Sequence, residues 1–339
     1  MALHIRVWQT HPLADIHGQM VLTRAGKVLY LKNVPKIYAA ATISAFIASY
    51  IAVWGLNDTR IATAPCTSLP QTVKVSQGSV KSRPNNVGHY YVNQFANEGG
   101  VPRLYQTSLP ENISSLTVAE RKKRFVGIVL PLILTANERI ATDRKALLSL
   151  RRKPSLNARE MLTLKDMAKR YRLGNDENSP LTAADKYELF LRVDEIPPSL
   201  ALAQGAIESG WGTSRFAQLG NALYGEWVWG DSAKGIVPEG RGAGKTHRIR
   251  AFEALQGSVT SYIRNLNTHP AYKELREHRA NLRANGERVT GTRLVYALLS
   301  YSTRREAYVD DLKSIIRRNG FEMLDDLDLL AINETQTTP

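Results

Sequence analysis

Apolar side chains recur at helical spacing along most of the chain after residue 115. The stretches 156–173 and 182–193 follow this pattern, and Thr182 stands where the second one needs a capping residue. Helical patterns return at 255–267, 271–284, 291–301 and 306–318. Between residues 223 and 252 the periodicity fails and glycines are dense, which predicts loops and a short β-hairpin. The pattern predicts a mainly helical domain with a small β element at residues 116–330.

One uncharged stretch, residues 37–56, reads IYAAATISAFIASYIAVWGL. As a helix rising about 1.5 Å per residue, it matches a hydrocarbon core of about 30 Å. The preceding segment, 1–36, carries more Lys and Arg than Asp and Glu, and such flanks stay in the cytoplasm. We therefore predict a cytoplasmic basic segment, a single N-terminal transmembrane helix in the bilayer, and a main domain outside the cytoplasm.

A cleaved signal peptide is the alternative for this segment, because Ala62-Thr63-Ala64 has the small-x-small form of a cleavage site. Pro65 would follow the cut, which favours an uncleaved anchor. A second apolar stretch, 125–136, is too short to span a bilayer and contains Pro131, so it is predicted to be a buried core helix.

Polar composition predicts two segments without a core of their own. Residues 57–115 are rich in Ser, Thr, Pro, Asn and Gln and are predicted to form a tether, partly ordered near Tyr90 and Tyr91. The polar tail 331–339 is predicted to be disordered.

The charge balance indicates an anionic partner. The 339-residue chain has a formal net charge of +14, which suits nucleic acid, an acidic membrane surface or an acidic polymer such as peptidoglycan. The predicted orientation opposes nucleic acid, because the basic domain would face away from the cytoplasm. Cys66 is the only cysteine, which excludes an intramolecular disulfide and a cysteine-rich metal site.

The segment 198–208 is the sequence's strongest candidate for chemistry. Pro197 and Pro198 suit the start of a helix, and almost every side chain after them is apolar until Glu208, which predicts a buried helix. Glu208 stands in the last turn, where the helix dipole disfavours a carboxylate by a few tenths to about 1 kcal/mol. Burial acts in the same direction, and Trp211 is expected to cover the carboxyl. Glu208 is therefore predicted to stay protonated near neutral pH and to act as a general acid.

The residues around this helix resemble a known family. The segment 201–225 reads ALAQGAIESGWGTSRFAQLGNALYG, which is similar to the glucosaminidases of glycoside hydrolase family seventy-three, bacterial enzymes that hydrolyse peptidoglycan. Within that family the chain looks most like the Bax proteins of proteobacteria. The supporting motifs are IPPSLA at 196–201, NLNTHPAY at 265–272 and YSTRREAY at 301–308.

The resemblance implies a lysozyme-like α+β fold and hydrolysis of the β-1,4 bond after N-acetylglucosamine. It implies that Glu208 is the catalytic acid and that Tyr301 lines the active site. It also implies that the partner is the glycan strands of peptidoglycan. The predicted transmembrane helix and its basic flank place the chain in the bacterial inner membrane, with the catalytic domain in the periplasm. The residues predicted to bind substrate are Trp211, Ser214, Asn221, Tyr224, Trp227 and Trp229.

A second catalytic carboxylate is not fixed by the motifs. Where the family pattern has an acidic residue, this chain reads KTHRIRAF at 245–252 and has none. The candidates are Glu226, Asp231, Glu239 and Glu253, and Glu239 is preferred because its glycine-rich loop could carry it over a cleft. The acetamido group of the substrate is the alternative nucleophile.

No cofactor is predicted. The stretch GRGAGKT at 240–246 lacks the first glycine of a phosphate-binding loop, because Glu239 stands there, so no nucleotide is expected. His247, His269 and His278 share no metal-ligand spacing. The rival function is a non-catalytic, membrane-tethered protein that binds peptidoglycan.

Overall fold

The computed structural model describes residues 21–24, 27–30, 87–173, 179–229, 234–242, 244–299, 301 and 304–331. The chain divides into two compact units, Met1–Val73 and Lys74–Pro339. In the first unit, strands β1 (Val21–Arg24) and β2 (Lys27–Tyr30) pair antiparallel, with Val21 opposite Tyr30. The predicted membrane segment 37–56 and most of the predicted tail 331–339 lie outside the described residues.

Helices make up most of the second unit, as the sequence predicts. Thr117, Asn157 and Thr182 each begin a helix with a reciprocal capping box, which satisfies the free N–H groups of the first turn. The α-helices are α1 Val87–Glu98, α2 Val118–Arg151, α3 Ala158–Arg170, α4 Ala183–Arg192, α5 Pro198–Ser209, α6 Arg215–Gly220, α7 Leu255–Thr268, α8 Lys273–Ala284, α9 Gly291–Leu294 and α10 Glu306–Asn319. The 3-10 helices are Glu111–Ser115, Pro270–Tyr272, Val295–Leu298 and Phe321–Leu324.

Helix α2 runs through the core of this unit. The apolar stretch 125–136 lies in it and is buried, which confirms the core helix expected there. Pro131 lies within the helix without ending it, although a proline inside a helix removes one backbone hydrogen bond. Among the described residues α2 alone is long and apolar enough to cross a membrane, but 67% of its most apolar window is buried inside the fold, as in a core helix.

The packed region begins before the predicted boundary at residue 116. Helix α1 lies in the segment predicted as a tether, and its Val87, Tyr91 and Phe95 are buried. The Tyr91 hydroxyl donates to the Lys123 carbonyl of α2 over 2.6 Å. A side chain at Gly127 would come within 2.4 Å of that hydroxyl, so the glycine permits this close approach. Residues 87–115 therefore belong to the folded unit, because α1 supplies part of its core.

A three-stranded antiparallel sheet follows α6, where the sequence predicts a hairpin. Its order is β3 (Trp227–Val228), β5 (Arg248–Arg250), β4 (Gly235–Ile236), so the last strand in sequence is central. Trp227 lies opposite Ile249. The sheet therefore fixes the position of the chain that follows α6, because β3 is the first strand after that helix.

A buried ionic cluster holds the chain just before α5. Asp194 is buried, and its carboxylate lies 2.8 Å from Arg283 and 3.4 Å from both Arg144 and Arg279. Arg279, which is fully buried, also donates to the main-chain carbonyls of Asp194 and Glu195. These contacts fix the direction in which the chain enters α5.

Candidate active site

Helix α5 is buried along nearly its whole length, as its apolar circumference predicts. It ends at Gly210, whose φ of +58° favours glycine, and the main chain then turns away from the helix axis. Glu208 lies in the last turn and is half-buried. Its carboxyl is therefore held by a rigid element at the edge of the core.

Burial raises the pKa of Glu208 above the usual glutamate value, and a hydrogen bond from Tyr308 acts in the opposite direction. An arginine partner would cancel the effect of burial, and Arg215 is the near candidate in sequence. Arg215 pairs instead with Glu239, 3.1 Å away. A carboxyl that keeps its proton to a higher pH suits a general acid.

A chain of buried hydrogen bonds leads from the core to this carboxyl. The Tyr262 hydroxyl donates to Oε1 of Gln204 over 2.5 Å, and Nε2 of Gln204 donates to the Tyr308 hydroxyl over 3.0 Å. The Tyr308 hydroxyl in turn donates to Oε1 of Glu208 over 2.9 Å. Gln204 is fully buried, and Tyr262 and Tyr308 are nearly so. The chain joins α5, α7 and α10 at the acid.

The other carboxyl oxygen of Glu208 faces Gly225. A Cβ placed on Gly225 would lie 3.9 Å from Oε2, its nearest heavy atom apart from those of the glycine and its two neighbours in the chain. In the described part of the chain no hydrogen bond is made to Oε2. Because Gly225 has no side chain, this oxygen is left free on the side that leads to β3.

Tyr301, predicted to line the site, lies beside Tyr308. The two rings stack with centroids 5.5 Å apart and an 8° angle between their planes. The Tyr301 hydroxyl donates to the carbonyl of Tyr224 over 3.4 Å. Burial raises its pKa, as do the neighbouring Tyr308 and Glu208. Tyr301 therefore stays protonated and shares the aromatic wall around the acid.

Glu226 is a second half-buried carboxyl in this region. Its Oε2 accepts a hydrogen bond of 2.7 Å from Ser261 and lies 3.7 Å from Arg250. Its Oε1 is buried and has no hydrogen-bond partner among the described residues. Burial raises the pKa of Glu226, and the pKa of Tyr272 is raised by burial and by the charges of both Glu226 and Glu208. Tyr272 thus lies within electrostatic range of both carboxyls.

The other candidates for the second carboxylate have different surroundings. The Glu239 side chain is 85% exposed and forms its ion pair with Arg215. Glu253 is also exposed and pairs with Lys234. Asp231 lies outside the described residues. Neither Glu239 nor Glu253 contacts Glu208, because each side chain is exposed to solvent and forms an ion pair with a different residue.

Trp211 and Tyr224 face the core rather than the carboxyl. Trp211 adopts a φ of +60°, and its ring contacts Phe125 and Phe321 at centroid distances of 5.7 and 6.0 Å. The ring therefore does not cover Glu208 as expected. Tyr224 is only 3% exposed and stacks on Tyr262 at 3.8 Å. A ring so enclosed has no free face for a sugar.

Ser214 and Asn221 shape the main chain. The Ser214 hydroxyl caps α6 by accepting from the Ala217 amide over 3.2 Å. Asn221 ends α6 with a φ of +52°, and its side-chain amide donates to the Phe252 carbonyl over 3.1 Å. Both side chains therefore use their hydrogen bonds to stabilise the turns between α5 and the sheet.

Trp227 and Trp229 are the exposed aromatic residues of the predicted set. They are 54% and 46% exposed, and their ring centroids lie 6.1 Å apart. Trp227 also stacks on His247 at 4.5 Å with a 10° angle between the rings. The two indole rings therefore have exposed faces on which a sugar ring can stack, and their ring contacts partly fix their orientation.

Sequence reasoning missed the roles of Tyr308 and Gln204. Both belong to the quoted motifs, yet 100 residues separate Tyr308 from Glu208, so no local pattern connects them. In the described part of the chain, no group of three or more His, Cys, Asp or Glu residues is placed to hold a metal ion.

A raised-pKa carboxyl among aromatic side chains is typical of glycoside hydrolases. The family model "Glucosaminidase: Mannosyl-glycoprotein endo-beta-N-acetylglucosaminidase" matches residues 184–321. Protein bax of Escherichia coli (strain K12) is 35% identical over 216 residues, which cover 63% of this chain and 75% of that protein. The chain belongs to the glucosaminidase family.

A solved structure, the catalytic domain of the autolysin Auto from Listeria monocytogenes, was also matched. The match covers 57% of this chain and 88% of that chain, at 15% identity and a TM-score of 0.28.

Proposed function

We propose that the chain is a peptidoglycan hydrolase, an endo-β-N-acetylglucosaminidase that cleaves the β-1,4 bond after N-acetylglucosamine. The observation that carries the proposal is the environment of Glu208. Its carboxyl is half-buried and has a raised pKa, a tyrosine hydroxyl as its hydrogen-bond donor, and one oxygen free. A glycosidic oxygen is a poor leaving group without a proton, and such a carboxyl can supply one.

In this proposal Glu208 protonates the glycosidic oxygen as the bond to the anomeric carbon breaks. Glu226 replaces Glu239 as the preferred second carboxyl, because it is half-buried, has an unpartnered oxygen and shares Tyr272 with the acid. Trp227 and Trp229 are proposed to bind the sugar rings through their exposed faces. Tyr301 lines the site beside Tyr308.

The proposed location follows from the sequence. Residues 37–56 would anchor the chain in the bacterial inner membrane, with the catalytic domain in the periplasm, where its substrate lies. The net charge of +14 suits a wall polymer that carries carboxylates.

Mass spectrometry of fragments released from purified peptidoglycan tests the proposal. Products that end in reducing N-acetylglucosamine are expected. Products that end in reducing N-acetylmuramic acid would mean that the other bond is cut. Binding to the wall without release of any reducing end would contradict the enzyme and support the non-catalytic wall-binding protein.

A further inference from the structure

Glu208 has two carboxyl oxygens in different surroundings. Oε1 accepts from Tyr308, whereas Oε2 faces Gly225 and has no hydrogen-bond partner among the described residues. An acid that must release its proton to substrate needs that proton on the accessible oxygen. The interaction that keeps the proton off Oε1 therefore contributes to the function of Glu208 as an acid.

A phenol hydroxyl has a single hydrogen, so its direction matters. Tyr308 accepts the amide N–H of Gln204, which occupies one lone pair of its oxygen and leaves its hydrogen for Glu208. The amide of Gln204 is itself held, because its oxygen accepts from Tyr262. If the amide were reversed, Tyr308 would have to donate to Gln204 and could only accept from Glu208.

We infer that Gln204 is a positioning residue which sets the direction of this hydrogen-bond chain, so that Tyr308 donates to Oε1 and the transferable proton of Glu208 is carried on Oε2. Gln204 is fully buried and cannot touch substrate, so it acts through Tyr308. The reaction step rests on the proposed function: the Oε2 proton passes to the glycosidic oxygen, and the bond from that oxygen to the anomeric carbon breaks. The oxygen of a water molecule bonds to the anomeric carbon and loses a proton, and Glu208 is left as a carboxylate. The Tyr308 hydrogen bond strengthens as that charge develops.

Among the described residues, the ionisable groups that interact with Glu208 are tyrosines from three parts of the fold. They are Tyr262 from α7, Tyr272 from the 3-10 helix after it, Tyr301 just before α10 and Tyr308 within α10. Burial raises the pKa of each, so they stay neutral while Glu208 titrates. A change in its titration therefore reports on hydrogen bonding, not on a nearby charge.

The test is carbon-13 NMR titration of the Glu208 carboxyl in the full-length protein, assigned by its loss in Glu208→Gln. Tyr308→Phe is expected to raise the midpoint by roughly 1 pH unit, because a hydrogen bond to the charged form is lost. Gln204→Met is expected to raise it by less, because Tyr308 is then free to accept from a proton on Oε1. Thr135→Val, which removes a buried hydroxyl that bonds within α2, is the control and should leave the midpoint unchanged.

An unchanged or lowered midpoint in folded Gln204→Met would overturn the inference. If that variant does not fold, Tyr262→Phe decides, since it removes one oxygen and frees the same amide; an upward shift supports the inference and no shift contradicts it. The titration needs no substrate. A protein that fails to cut peptidoglycan would therefore refute the proposed function while leaving this result readable.

Discussion

The Tyr308 hydroxyl donates a 2.9 Å hydrogen bond to Oε1 of Glu208, across 100 residues of sequence. The bond favours the ionised carboxyl, whereas burial, the larger effect, favours the neutral one. The same arrangement therefore keeps the proton on the carboxyl to a higher pH than usual and stabilises the carboxylate that remains after the proton leaves.

Glu226→Gln is expected to lower turnover of peptidoglycan by about 100-fold or more, because a positioned carboxyl contributes roughly that much to acid–base catalysis. Initial rates of reducing-end release measure the effect. Glu239→Gln is the matched control, because its exposed carboxylate pairs with Arg215 and should be dispensable. A loss in Glu239→Gln with normal rates in Glu226→Gln would restore Glu239 as the second catalytic group.

Trp227→Ala and Trp229→Ala are each expected to weaken binding to glycan strands by about 2- to 10-fold, the range given by a single aromatic contact. The melting temperature should stay the same, since both rings are half-exposed. Sedimentation with purified wall measures the binding. Tyr187→Ala, which removes a 60% exposed ring from α4, should bind normally. Equal losses of binding in all three variants would argue against a specific glycan-binding site at Trp227 and Trp229.

Asp194→Asn is expected to lower the free energy of unfolding by about 3 kcal/mol, because it leaves the buried Arg279 without its anion. Urea denaturation measures the loss. Asp166→Asn breaks only an exposed pair with Arg170 and should cost less than about 1 kcal/mol. Similar values for the two variants would mean that the cluster does not stabilise the start of α5.

The raised pKa of Glu208 also predicts how stability depends on pH. A carboxyl with a folded-state pKa above its unfolded value binds more protons when folded, so its contribution is present below the usual value of 4.5 and is lost as pH rises through the raised value. Glu208→Gln should therefore gain stability over the wild type as pH rises from 4 to 8. Urea denaturation at several pH values tests this, and a constant difference would show that Glu208 titrates normally.

How far the sequence predicts this site depends on how local each interaction is. Helix α5, its end at Gly210 and the burial around Glu208 follow from neighbouring residues, and the sequence predicts them. The direction of Trp211 does not follow, because its ring packs against Phe125 and Phe321, which lie far from it in the sequence. The link from Gln204 through Tyr308 depends on how α5, α7 and α10 pack, and no short window of sequence contains it.

The early boundary of the folded unit has a similar cause. Residues 87–115 are mostly polar, and only a few of their side chains, among them Tyr91 and Phe95, reach the core. One of those contacts, that of Tyr91, relies on Gly127 of α2, which permits the approach of the Tyr91 hydroxyl. A sparse apolar pattern therefore resembles a tether when it is read without its partner helix.

The central claim, that Glu208 supplies the proton for glycosidic cleavage, is tested most directly by comparing Glu208→Gln with the wild type in release of reducing ends from purified peptidoglycan. Turnover should fall by at least about 100-fold while wall binding and the circular dichroism spectrum stay the same. Glu253→Gln, an exposed carboxyl paired with Lys234, should cut normally. Turnover in Glu208→Gln equal to that of the wild type would contradict the account.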